Sequence, residues 1–187
     1  MPFFERGIQL FFDLLKKKIT IAARKAFTEM LEKHAEENIY AFALYSDEGA
    51  MTVCPSTNTM RHFSEKANRS EAAYYKFSPA EWKYEMQGAD SEFNEICDLL
   101  LQELEKISDD SGAFLQFRSR LFACCIKVLE ALKNEKFFNQ TAGNNIFLVF
   151  SVSDYEFETA ELKNIIMRLN DDPYRSEYLD WIRSWES

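Results

Sequence analysis

Glycine is scarce in this chain, five residues out of 187. A loop that cradles phosphate with backbone amides needs several glycines at fixed offsets, and neither GxGxxG nor GxxxxGKS/T is present. Histidine is scarcer still. His34 and His62 stand far apart, without HExxH spacing, so neither fits a metal site or a nucleophile–base pair. No GxSxG elbow and no DxDxDG calcium loop occurs. The four cysteines, Cys54, Cys97, Cys124 and Cys125, show no CxxC spacing, which excludes zinc ribbons and thioredoxin-like redox motifs. They lie among apolar residues and read as buried free thiols, the form expected in a reducing cytoplasm. No run reaches the ~18 apolar residues needed to span a bilayer. The opening MPFFERGIQLFFDLLKKK carries its lysines after the apolar stretch, with Glu5 and Asp13 inside it. It reads as an amphipathic surface helix, not a targeting peptide. The expected sets of catalytic residues, metal ligands and cofactors are therefore empty.

Positive charge is also in deficit. Lys and Arg number 22 against 31 Asp and Glu, a net charge of −9. Nucleic-acid binders cluster Lys and Arg on one face, and anionic membranes attract the same pattern. Neither partner is expected here. An acidic protein is soluble and suits a basic partner.

What the chain has in plenty is large apolar side chains. Apolar residues make up 47% and include seventeen Phe, so a packed core is expected rather than disorder. The length suits one domain over residues 1–187. Ile8, Phe11, Phe12, Leu15, Ile19, Ala22, Ala23, Phe27, Met30 and Leu31 recur at helical steps between Phe3 and Glu37. The β-branched Ile19-Thr20-Ile21 marks an expected break near Lys18. Residues 38–54 read as a β-hairpin with both faces apolar. Asp47-Glu48-Gly49 supplies its turn, Gly49 its positive φ, and Pro55 its end. Residues 57–68 are weakly helical. Ser78-Pro79-Ala80-Glu81 has the form of a capping box with proline at the first helical position. Phe93, Ile96, Cys97, Leu100, Leu104 and Ile107 make one apolar stripe. Phe114, Phe117, Leu121, Cys124, Cys125, Val128 and Leu132 make another, and the two helices are expected to pair antiparallel. Residues 145–152, NIFLVFSV, form a strand-length apolar run, expected at the centre of the sheet. Two short helices follow, from Thr159 and from Asp172. The expected fold is α+β: a small, mainly antiparallel sheet, the hairpin 38–54 plus the strand 145–152, covered by amphipathic helices.

Charge is uneven along the chain. Residues 85–110 hold nine acids against one base, Lys106, while residues 111–149 hold five bases against two acids. Asp90, Glu92, Glu95, Asp98, Glu103 and Glu105 lie off the apolar stripe and form a candidate partner-binding face for a basic protein. The cluster Glu81-Trp82-Lys83-Tyr84-Glu85 has two readings. Trp82 and Tyr84 beside carboxylates suit a ligand pocket with Glu81 or Glu85 as general acid. Alternatively the rings are core and Glu81 caps a backbone amide. Asp154, past the end of the last strand, is either a catalytic carboxylate or a turn cap. Glu81, Trp82, Tyr84 and Asp154 are thus the candidate ligand-binding residues.

The pieces IYAFALYSDEG, KFSPAEWKYE, IFLVFSVSD and RLNDDP, in that order, resemble the bacterial domain of unknown function 4303 family between Asn38 and Trp181. The family carries no established activity to transfer to a residue. The resemblance implies a small cytosolic protein of the kind found near bacterial polymorphic toxins, where many serve as immunity proteins. Its expected action is to bind and inhibit a basic toxin domain. The rival expectation is an enzyme or small-ligand protein.

Overall fold

Continuous apolar periodicity makes the first helix the spine of the molecule. The computed structural model describes residues 3–66, 71–107 and 109–186. Helix α1 (Phe3–His34) leads through a 3-10 turn into β1 (Ile39–Asp47) and β2 (Val53–Thr59). Helices α2 (Met60–Lys66) and α3 (Ala72–Phe77) follow, then a second 3-10 turn, Pro79–Glu81, and the two-residue β3 (Tyr84–Glu85). Helices α4 (Asp90–Glu105), α5 (Ser111–Asn134) and α6 (Phe137–Ala142) precede β4 (Phe147–Ser153). Helices α7 (Thr159–Leu169) and α8 (Tyr174–Arg183) come last, with a 3-10 turn at Ser184–Glu186. The fold is α+β, as expected.

The expected break near Lys18 is absent, and α1 runs unbroken through Ile19-Thr20-Ile21. Ile19 is fully buried, and Thr20 folds its hydroxyl back onto the Lys16 carbonyl at 2.8 Å. Core burial overrides the small propensity cost of β-branching.

The sheet is mixed, in the order β3-β2-β1-β4, with β1/β2 and β2/β3 antiparallel and β1/β4 parallel. The hairpin departs from expectation in three places. A register shift between Ile39 and Ala41 breaks strict alternation, so Tyr40 joins Ala41 and Ala43 in one core while Ile39 joins Phe42 and Leu44 in the other. Ala50, not Gly49, takes the positive φ, at 55°. Its methyl is buried, and the Asp47 carboxylate holds the turn by accepting from the Thr52 amide at 2.8 Å and the Thr52 hydroxyl at 2.6 Å. Pro55 does not end β2, which continues to Thr59. The Pro55 carbonyl accepts from the Met86 amide at 2.9 Å, just past the end of β3. A missing N–H on that side therefore costs no ladder bond.

The sheet separates two cores. Phe42, Leu44, Val53, Leu148 and Phe150 pack under α1, α4 and α5. Tyr40, Ala43, Phe147 and Val149 pack under Phe77, Trp82, Tyr178 and Ile182. Strand β4 is apolar on both faces for this reason, yet it lies at the sheet edge rather than the centre. Two devices shield that edge. Helix α7 sends Ile165 and Leu169 into one core and Ile166 into the other. The side-chain amide of Asn170 stands in for a neighbouring strand: its Oδ1 accepts from the Leu148 amide at 2.8 Å and its Nδ2 donates to the Leu148 carbonyl at 2.7 Å.

Helices α4 and α5 pack chiefly on α1 rather than as the expected antiparallel pair. The charge pairing follows. Lys18 and Lys25 of α1 reach Glu95 and Glu92 of α4 at 2.8 and 2.6 Å. All four cysteines are free; Cys54, Cys124 and Cys125 are buried and Cys97 is partly exposed. The Cys97 thiol donates to the Val53 carbonyl at 3.8 Å, and its interaction with the neighbouring Cys54 thiol lowers the Cys97 pKa and raises that of Cys54.

Two outcomes are expected. Replacing Asn170 by Ala strands a buried N–H and a buried C=O of Leu148, at ~1–3 kcal/mol each. Urea denaturation of Asn170→Ala should show a loss of that order, and an unchanged midpoint would remove the clamp from the account. A thiol reagent should label Cys97 first in native protein and all four cysteines after unfolding; native labelling of Cys125 at an equal rate would contradict this packing.

Candidate functional site

The structure does not bring the four candidate ligand-binding residues together. Trp82 is buried beside Phe147 in one core, with its indole N–H donating to the Lys76 carbonyl at 3.2 Å. Tyr84 is buried in the other core. Glu81 makes no capping box, and Ser78 caps no amide. Instead the Glu81 carboxylate accepts from the Tyr74 hydroxyl at 3.3 Å. Asp154 is exposed in the left-handed region, φ 58°, and its carboxylate accepts no hydrogen bond among the described residues.

Tyr84 belongs to a buried polar node that the sequence did not announce. Its hydroxyl donates to Glu37 at 2.9 Å. The Lys83 ammonium meets both Glu37 oxygens at 2.8 and 2.9 Å, and Thr59 donates to the same carboxylate at 3.1 Å. The Tyr84 hydroxyl also lies 3.0 Å from His34 Nδ1, with the two rings stacked. His34 and His62 are half-buried, and His62 Nε2 sits 3.3 Å from the Glu81 carbonyl. Burial alone would raise the Glu37 pKa. The bonds from Lys83, Tyr84 and Thr59 outweigh it and hold the carboxyl down at about 2. Among the described residues no His, Cys, Asp or Glu cluster could hold a metal ion. Every Glu37 oxygen is already satisfied, so the node ties α1 to the sheet and offers no open position to a substrate.

The accessible feature is a cleft on the α8 side of the sheet. Two adjoining hollows of about 450 and 810 Å³ share Tyr74, Ser78, Trp181 and Trp185. Ser151 and Val149 of β4 form part of the floor. Trp181 and Trp185 meet edge to face at 4.9 Å, and Trp181 is anchored on Phe77 and Tyr178. Trp185 is 53% exposed and Tyr74 is 40% exposed, unusual for rings of this size. Glu71, Glu156 and Asp180 stand in the lining, which contains no Lys or Arg among the described residues. Asp180 shares its charge with Arg183 at 2.5 Å. The chain beyond β4, Asp154-Tyr155-Glu156-Phe157-Glu158, turns its rings toward the core and leaves its acids exposed.

A family model described as Domain of unknown function (DUF4303) matches residues 19–171. The chain belongs to that family. No curated protein and no solved structure matches it. The DUF4303 match covers the sheet, the Glu37 node and one wall of the cleft. It stops short of Trp181 and Trp185, so the tryptophan wall lies outside the matched residues. The sequence signal for that wall was the i, i+4 spacing of these two residues, which places them on one helical face.

The Glu37 node makes a pH prediction. Its folded pKa, about 2, lies below the ordinary value of 4.5. A depressed carboxyl contributes stability fully above the ordinary value, and loses it as pH falls from there toward about 2. Glu37→Gln should therefore lower stability at pH 7 by ~1–3 kcal/mol. The gap between the variant and wild type should close as urea titrations are repeated from pH 5 downward. A gap independent of pH would show that the Glu37 charge does not support the fold.

Proposed function

We propose that this protein is a non-catalytic binding module of immunity type, working in a bacterial cytoplasm, whose partner is a protein presenting a basic segment to the cleft. The observation that carries this reading is the juxtaposition of exposed Trp185 and Tyr74 with Glu71, Glu156 and Asp180, in a lining that holds no Lys or Arg among the described residues. An aromatic face attracts an ammonium or guanidinium by ~0.5–1 kcal/mol when exposed and ~2 kcal/mol when desolvated. Neighbouring carboxylates add charge-assisted hydrogen bonds, which favour Arg through its fork of donors. Tryptophan, tyrosine and arginine are also the residues that dominate protein interfaces.

The acidic helix α4 is the weaker candidate. Glu92, Glu95 and Glu103 already pair with Lys25, Lys18 and Lys106, and Asp90 accepts from the Gly88 amide at 3.0 Å. Asp98 and Glu105 remain outward and supply steering charge more than contact. The resemblance of the family to proteins encoded beside toxins supports an inhibitor over a general scaffold.

The test uses a short Arg-rich peptide and its Gln-substituted analogue as probes, read by tryptophan emission and calorimetry. The Arg peptide should shift the emission of wild type, bind less tightly as salt rises, and bind ~10-fold more weakly to Glu71→Gln with Glu156→Gln, a change of ~1.4 kcal/mol. Trp185→Ala should abolish the shift without loss of fold, because the ring is exposed. Equal binding of the two peptides, or binding of neither, would sink this reading.

A further inference from the structure

Helix α1 carries a second surface, independent of the cleft. Its inner face is buried, but its outer ridge presents Leu10, Leu14 and Ile21, which are 70%, 48% and 61% exposed. With Lys17 these residues recur at i, i+4, i+7 and i+11, so they form one straight line along the helix. Single exposed leucines are ordinary, whereas three in register along a solvent-facing helix make a contiguous apolar stripe. Helices α4 and α5 flank α1 without covering this line.

The charges beside the stripe say what fits it. Lys17 has no ion-pair partner among the described residues, unlike Lys18, which pairs with Glu95. Asp13 accepts only the uncharged Gln9 amide, at 2.9 Å, among the described residues. Asp13 and Lys17 therefore form an unspent pair of opposite charges on the stripe's margin. Place a second α1 antiparallel to the first, with the two-fold axis level with the step between Leu15 and Lys16, so that Leu14 faces Lys17 of the other copy. The same operation sets Leu10 against Ile21 of that copy, and brings Asp13 within reach of its Lys17. Each apolar residue of the line meets an apolar residue or a lysine stem, and Asp13 meets Lys17 of the other copy. Such self-complementarity is what an isologous two-fold interface requires. The stem of Lys17 can lie along Leu14 while its ammonium reaches the carboxylate.

We propose that the outer ridge of α1 is the interface of a homodimer, in which Leu10, Leu14 and Ile21 pack against a second copy of this chain and Asp13 pairs reciprocally with Lys17. The occupant is another copy rather than a foreign partner because the charge pattern complements itself under one rotation. The patch is a single line of three apolar side chains, so the dimer is weak and concentration-dependent.

The test is sedimentation equilibrium of the full chain over a wide range of concentration. Wild type should pass from monomer to dimer as concentration rises. Leu14→Lys with Ile21→Lys should stay monomeric with unchanged circular dichroism, because the ammonium introduced at position 14 would then face Lys17 of the other copy. The charge pair gives a test that a nonspecific apolar contact would fail. Asp13→Lys alone and Lys17→Asp alone should each weaken dimerisation about 10-fold, since each sets like charges together. The double exchange within one chain should restore it, because both copies then carry the reversed pair. Wild type that remains monomeric throughout would overturn the proposal. So would a dimer indifferent to the Leu14 and Ile21 substitutions, or single charge variants that the double exchange fails to rescue.

Discussion

Strand β4 is buried from three sides at once, and the rest of the molecule is arranged around that constraint. Both faces are apolar, so each needs its own layer of helices; its outer edge carries backbone polar groups that cannot be left dry. Parallel pairing to β1 satisfies the inner edge. The Asn170 amide satisfies Leu148 on the outer edge with a donor and an acceptor spaced like those of a strand. Helix α7 then lies alongside and contributes to both cores. The two-layer cover is possible because that edge is closed by a side chain and a helix rather than by another strand.

The electrostatics follow the same economy. Helix α1 distributes its lysines to α4 on one flank and pairs Arg24 with Glu135 at the end of α5 on the other. Its C-terminal end is fixed to the sheet through Glu37, Lys83 and Tyr84. A chain of net charge −9 thus spends most of the positive charge near α1 internally. Acids collect after β4 and around the tryptophans, where no Lys or Arg enters the lining among the described residues. An aromatic cleft with acidic walls is the result of where the lysines went.

Much of this fold is legible in the sequence, and the misses share a cause. Periodicity located the long helices, the hairpin and β4, because each buries many side chains at a regular spacing. Burial of Ile19 and Ala50 overrode local preference, so the expected break in α1 and the expected role of Gly49 both failed. The continuous apolar run of β4 reports that both faces are covered; it is silent about the edge, which depends on Asn170, 22 residues away. The acidic helix and its lysines were visible as charge runs, but their pairing across α1 required the tertiary fold. The candidate site was the least legible. Trp82 and Tyr84 are near neighbours in sequence, yet the sheet sends them to different cores. The cleft instead joins Tyr74 and Ser78 to Trp181 and Trp185, segments that no local pattern links. Glu37 looked like one acid among many, because only a folded chain shows that it is buried.

The cleft and the outer ridge of α1 lie on opposite sides of the sheet. Phe77, Tyr178 and Trp181 belong to the layer on one face, while α1 belongs to the layer on the other. Contact along α1 therefore neither covers Trp185 nor uses any carboxylate of the cleft. A pair of chains joined by their first helices would hold two clefts facing outward, each as open as in the single chain. For a partner with one basic segment, affinity per cleft is then unaffected by pairing. For a partner that offers two such segments at a matching span, the second contact becomes intramolecular and the gain is one of effective concentration rather than of new contacts. The physical separation of the two surfaces by a rigid sheet is what keeps these effects independent.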